Sequence, residues 1–112
     1  MKISKQNAEH YVWGGLCDGW HLVKQDGLSV IHERMQAGAS EVRHYHERAR
    51  QFFFMLAGTA TLEIDGVPVV LGPSDGVEVP PLTPHQMLGS TVEAVEFLVI
   101  SSPTTRGDRV TG

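Results

Sequence analysis

Every apolar run in this chain is cut short by glycine, proline or an Asp-Gly pair, and the runs themselves are rich in β-branched and aromatic residues. Such punctuation favours many short strands joined by tight turns and leaves no stretch with a convincing helical period. The clearest case is Thr59 to Asp65, where Ala60, Leu62 and Ile64 alternate with polar neighbours, the pattern of a strand wetted on one face. Asp65-Gly66 then supplies a hairpin turn, and Val67 to Leu71 returns, with Pro68 pointing to an edge position or a bulge. Further strands are expected at Leu28 to Met35, Gln51 to Leu56, Gly76 to Val79 and Val92 to Ile100. Ahead of them, an irregular arm with short edge strands at Tyr11 to Trp13 and Trp20 to Lys24 is expected to pack on a neighbour. With 112 residues the chain has length for one core. The expectation is a single all-β domain, an antiparallel two-sheet jelly-roll barrel. Residues 1–27 form its N-terminal arm and edge strands, residues 28–101 the barrel core and residues 102–112 a polar tail.

Nine Lys and Arg stand against thirteen Asp and Glu, with no basic run to neutralise a phosphate backbone, so nucleic acid is not an expected partner. No leader-like N-terminus and no stretch able to span a bilayer is legible, so no membrane partner is expected and the compartment is read as cytoplasmic. The lone Cys17 cannot form an internal disulfide.

Chemistry concentrates between Gly38 and Gly58. His44 and His46 are two apart, so on an extended strand both imidazoles face the same way. Gln51 heads the next apolar run, QFFFML, and His85 follows the stiff Pro80-Pro81 and Thr83-Pro84 loop. Three imidazoles and one amide oxygen can therefore meet at a point and bind a divalent cation. Zn, Ni, Mn, Fe and Cu all suit such donors in some degree, so the set does not name its metal.

These positions resemble the two motifs of the cupin family. Gly38, His44, His46, Gln51 in the place of a usual Glu, and Gly58 match the first in spacing, and Pro80 and His85 match the second. Ser74, Leu82 and Gly89 stand where Gly, Gly and Asn are usual. The resemblance, from about Leu28 to Ser101, implies a cupin double-stranded β-helix with one divalent metal held by His44, His46, Gln51 and His85. Similar small cupins with this Gln process unsaturated sugar acids, which implies isomerase or lyase chemistry on a small anionic substrate such as a sugar acid or keto acid. Two alternatives are a non-catalytic ligand-binding or sensor cupin and an Fe-dependent dioxygenase. An amide ligand leaves the site at a formal +2, which favours an anionic ligand.

Phe53 and Met55 share the parity of Gln51 and are expected to line the substrate cavity. Phe52, Phe54 and Leu56 then face outward, an apolar patch suited to a homodimer contact. His32 and Arg34 share one face of their strand; that face either lines the pocket, with Arg34 or His32 orienting the anionic substrate, or forms its rim. Tyr45, His32 and Glu96 are the candidate proton-transfer groups. Glu41, Arg43 and Glu47 read as solvated loop charges or hydrogen-bonding neighbours of the histidines. Cys17, Trp20 and His21 are weak grounds for a second metal or thiol site, His10 is expected to be exposed, and Arg106-Gly107-Asp108 in the tail is read as a chance tripeptide.

Overall fold

The computed structural model describes residues 1–112, and every regular element in it is a strand. In chain order these are β1 (Glu9–Trp13), β2 (Cys17–Lys24), β3 (Ser29–Met35), β4 (His44–Tyr45), β5 (Arg50–Ala57), β6 (Ala60–Ile64), β7 (Val67–Leu71), β8 (Gly76–Val79), β9 (His85–Leu88), β10 (Val95–Ser102) and β11 (Val110–Thr111). One sheet has the order β1-β2-β3-β10-β5-β8 and the other β11-β4-β9-β6-β7, and neighbouring strands are antiparallel. The expected two-sheet jelly roll is the fold of the protein. No helix is long and apolar enough to cross a membrane.

The period-two pattern decides what each strand buries. On β10, Val95, Phe97, Val99 and Ser101 point inward, and on β5 Gln51, Phe53 and Met55 do the same. The inward apolar residues meet Leu62, Leu71 and Met87 from the opposite sheet in one contiguous core. Interiors this tightly filled lose roughly 2–5 kcal/mol when a Leu, Met or Phe is cut to Ala. Pro68 lies in β7, at the edge of its sheet, where a missing N–H disturbs no second neighbour.

Three expectations need correction. The N-terminal edge strands are present but longer than expected, β1 from Glu9 and β2 from Cys17, and they extend the six-stranded sheet of the same chain, β2 pairing with β3 and β1 with β2. The last long strand runs from Val95 rather than Val92, because Gly38 and Gly89 tie the preceding residues into a loop through Gly38 N–H to Ser90 O and Gly89 N–H to Ala39 O. The tail is also structured. Its β11 adds to β4, and Asp108 is among the buried residues.

Candidate metal centre

His44 lies on β4 and His85 on β9, directly paired across the sheet, while His46 begins the loop that leads to β5. One ring nitrogen from each of the three lies within 4.8 Å of the others. All three imidazoles are buried. Their orientation is fixed from behind by backbone carbonyls. His44 Nδ1 lies 2.7 Å from Val42 O, His46 Nδ1 2.7 Å from Asp108 O, and His85 Nδ1 2.9 Å from Thr83 O. A carbonyl can only accept, so each Nδ1 carries the proton and each Nε2 presents a lone pair to the interior.

Gln51 is fixed in a similar way. Its Nε2 donates to Ser101 Oγ at 3.1 Å, and the residue lines the same cavity as His44 and His46. Gln51 Oε1, His46 Nε2 and His85 Nε2 are buried and have no hydrogen-bond partner in the protein. Buried acceptors without partners are costly, and a cation shared among them removes that cost. The residues therefore fit a divalent metal. Burial pushes all three imidazole pKa values down, His44 to about 4, with the carbonyl hydrogen bonds opposing and nearby positive charge adding. They are neutral at pH 7, the form that binds metal.

The C-terminal segment completes the cage, and sequence reasoning missed it. Asp108 is 3 % exposed, and its carboxylate accepts from the backbone N–H groups of Glu47, Arg48 and Ala49 at 2.9, 3.0 and 3.0 Å. Burial raises its pKa, but these hydrogen bonds outweigh that and hold it below the usual carboxylate range. One residue thus anchors both His46 and the loop behind it.

Beside the histidines lies a cavity of about 170 Å³. His44, His46, Gln51, Phe53, Val99 and Ser101 wall one part of it; Tyr11, Ile31, Glu33 and Glu41 wall another, and Thr105 and Arg109 come from the C-terminal segment. Of the residues singled out from sequence as substrate contacts, Phe53 lines the cavity, whereas Met55 is fully buried in the apolar core one step further along β5. The alternation of β3 sends Ile31 and Glu33 inward, so Arg34 and His32 stand on the outer face of the sheet. There His32 Nε2 sits 2.7 Å from Glu96 Oε1, which also pairs with Lys5 at 2.8 Å. Tyr45 has the parity opposite to His44 and packs beside Gly112, outside the cavity wall. Cys17 is core, and the His21 ring lies 5.0 Å from that of Tyr11, tilted by 34°. His10 is exposed and faces Asp18 at 2.7 Å. Arg43 pairs with Glu63 at 2.7 Å.

The cavity's chemistry comes from residues that carried no motif. Tyr11 reaches inward because its cross-strand partner is Gly19, where a Cβ would lie 2.2 Å from the Tyr11 ring. Burial pushes Glu33 up to about 8, with the Glu41 charge adding and Arg109 and Tyr11 opposing. Glu41 is pushed up to about 7 by burial, against its hydrogen bond from Met87 N–H and the Arg109 charge.

Fold and site together define a cupin. The Cupin_2 cupin-domain model matches residues 31–101, well over half of the chain, and the chain belongs to that family. It is 30% identical over 92 residues to the probable oxidoreductase yanE of Aspergillus niger, a match that covers 79% of this chain but 36% of that protein's length. An RmlC-like cupin from Shewanella frigidimarina superposes with a TM-score of 0.85 at 22% identity, covering 94% of this chain and 92% of the other. A cupin-superfamily sugar phosphate isomerase from Silicibacter pomeroyi superposes with a TM-score of 0.79 at 22% identity, over 93% of this chain and 76% of that one.

Proposed function

We propose that this cupin is a small metalloenzyme of isomerase or lyase type, acting on a small anionic substrate such as a sugar acid or keto acid. The observation that carries the reading is the set of buried, unpartnered acceptors, His46 Nε2, His85 Nε2 and Gln51 Oε1, gathered with His44 beside a polar cavity. A divalent ion held by these four residues would supply a Lewis acid able to polarise a carbonyl or hydroxyl oxygen. Because all four ligands are neutral, the ion's charge is not cancelled, and Arg109 at the cavity wall adds a second positive group. Substrate carboxylate is therefore attracted from two directions, with the Glu41 charge opposing and Glu33, raised by burial, adding little negative charge near neutrality, while Phe53, Val99 and Ile31 give the cavity an apolar side. The likeness to a sugar phosphate isomerase is in keeping with redox-neutral chemistry.

The oxidoreductase name of the Aspergillus relative favours a second reading, Fe-dependent oxygen chemistry at the same donors. Elemental analysis of the purified protein tests the shared premise: one divalent metal per chain is expected, lost in His44→Ala and His85→Ala. Undiminished metal in both variants would refute the site. Turnover of sugar acids and 2-oxo acids under anaerobic conditions separates the readings, since an oxygenase is silent there.

A further inference from the structure

We propose that Glu33 is the proton-transferring group of the cavity and that Tyr11, seated over Gly19, is the residue that positions it. The assignment rests on the metalloenzyme reading above and names a residue for it that lies in neither metal motif.

The geometry argues first. Tyr11 on β1, Gly19 on β2 and Glu33 on β3 are successive cross-strand partners, so they form one row on the inner face of the sheet. Glycine in the middle of that row is what lets the phenol lie across the strand, and any side chain at residue 19 would collide with the ring. Tyr11 and Glu33 both open on the cavity that His44, His46 and Gln51 line. Glu33 takes part in none of the chain's salt bridges. The other ionisable groups around that cavity are Glu41 from the loop before β4 and Arg109 from the C-terminal segment.

The energetics argue second. A carboxyl turned into a small interior space with no salt bridge, and only the Arg109 charge across the cavity to offset it, costs stability, and a Gln or an apolar residue would fold more cheaply there. Burial and the neighbouring Glu41 keep its proton affinity near neutrality, where a group can both give and take a proton. For a 2-oxo acid, the ionised Glu33 would take a proton from the carbon next to the carbonyl. The C–H electron pair becomes the C=C bond, and the carbonyl π pair moves onto oxygen. Return of the proton to that carbon, or to its neighbour in a sugar acid, completes an exchange or an isomerisation with no change in oxidation level.

Two measurements test this, the first on metal-free and the second on metal-loaded protein. The first follows the Glu33 side-chain carboxyl by carbon-13 NMR against pH, using Glu33→Gln to assign the signal. A midpoint of about 8 is expected. It should rise in Tyr11→Phe and in Gly19→Ala, because the phenol favours the ionised form. A midpoint in the ordinary carboxylate range, or one indifferent to both changes, overturns the assignment. The second follows deuterium uptake by the methyl and methylene protons of pyruvate and 2-oxoglutarate in heavy water. Exchange should fall at least a hundredfold in Glu33→Gln and stay within threefold in Arg34→Gln on the outer face. Exchange that survives Glu33→Gln, or no exchange by the parent protein with either acid, overturns it as well. Loss of metal or of anion binding with an intact raised midpoint would instead strike the metalloenzyme reading and leave the Tyr11–Glu33 pair standing.

Discussion

Replacing Asp108 by Ala should damage the fold and the metal site together, although the residue touches no cation. Its carboxylate holds three backbone N–H groups at 2.9 to 3.0 Å in a position that is 3 % exposed. Hydrogen bonds to an ionised group contribute about 1.5–3 kcal/mol each. Glu47 and Arg48 are exposed, so after relaxation their N–H groups can find water, and only Ala49 N–H stays buried. A loss of about 3–5 kcal/mol follows, below the full sum of three bonds. Asn keeps one acceptor oxygen but turns an NH₂ toward N–H donors, and should cost about 2–3 kcal/mol. Because Asp108 O also orients His46, loosening the segment should weaken metal binding about 10–100-fold. Urea unfolding of the metal-free protein gives the first quantity and calorimetric zinc titration the second. The sign of the pH dependence separates Asp108 from the histidines. Its depressed pKa gives stability that is present above the unfolded value, 3.8, and lost as pH falls through the lower folded value. The histidine pKa values are lowered too, so unfolded imidazoles bind protons first, and stability falls earlier, between 6.5 and about 4 for His44. An Asp108→Ala protein within about 0.5 kcal/mol of the parent, with unchanged zinc affinity, would refute the reasoning.

Two further outcomes are expected. Gln51→Glu should tighten metal binding on the order of tenfold by adding a charged ligand, and should weaken anion binding, both readable by calorimetry with zinc and then oxalate; stronger oxalate binding would sink the charge argument. The outward row Phe52, Phe54 and Leu56 leaves an apolar face on β5, for which we propose a two-fold homodimer. Phe54→Ser should then weaken self-association about tenfold by light scattering, and a parent protein that is monomeric at millimolar concentration removes the proposal.

The histidine cluster, with Gln51 on the same cavity, was legible because each signal was local. A two-residue spacing fixes a shared face, and the proline-rich loop before His85 fixes an approach. The motif departures carry the backbone's demands openly. Ser74 and Leu82 stand where glycine is usual, and both keep the positive φ that glycine would supply, 71° and 64°. Gly89 replaces a usual Asn where a Cβ would meet Ala39 O at 2.9 Å, so the smaller residue accommodates a close strand approach. Gly58 needs its lack of a side chain twice, for a φ of 78° and for contact with Val95 and Ala94. The cavity chemistry was not legible for the converse reason. Tyr11, Glu33 and Arg109 meet only after pairings across distant segments, and β3 carries apolar and charged residues on both parities, so pattern alone cannot say which faces in. Asp108 was hidden in a polar stretch because a buried carboxylate bound to backbone N–H groups has no side-chain partner to betray it.

The pinning of the His46 loop by a segment some sixty positions downstream also orders events in time. A ribosome-bound chain that has exposed all four ligand residues but not yet residues 108–111 lacks the clasp behind one of them. An ion held by these residues would thus be gripped at full strength only once the C-terminal segment has docked behind His46.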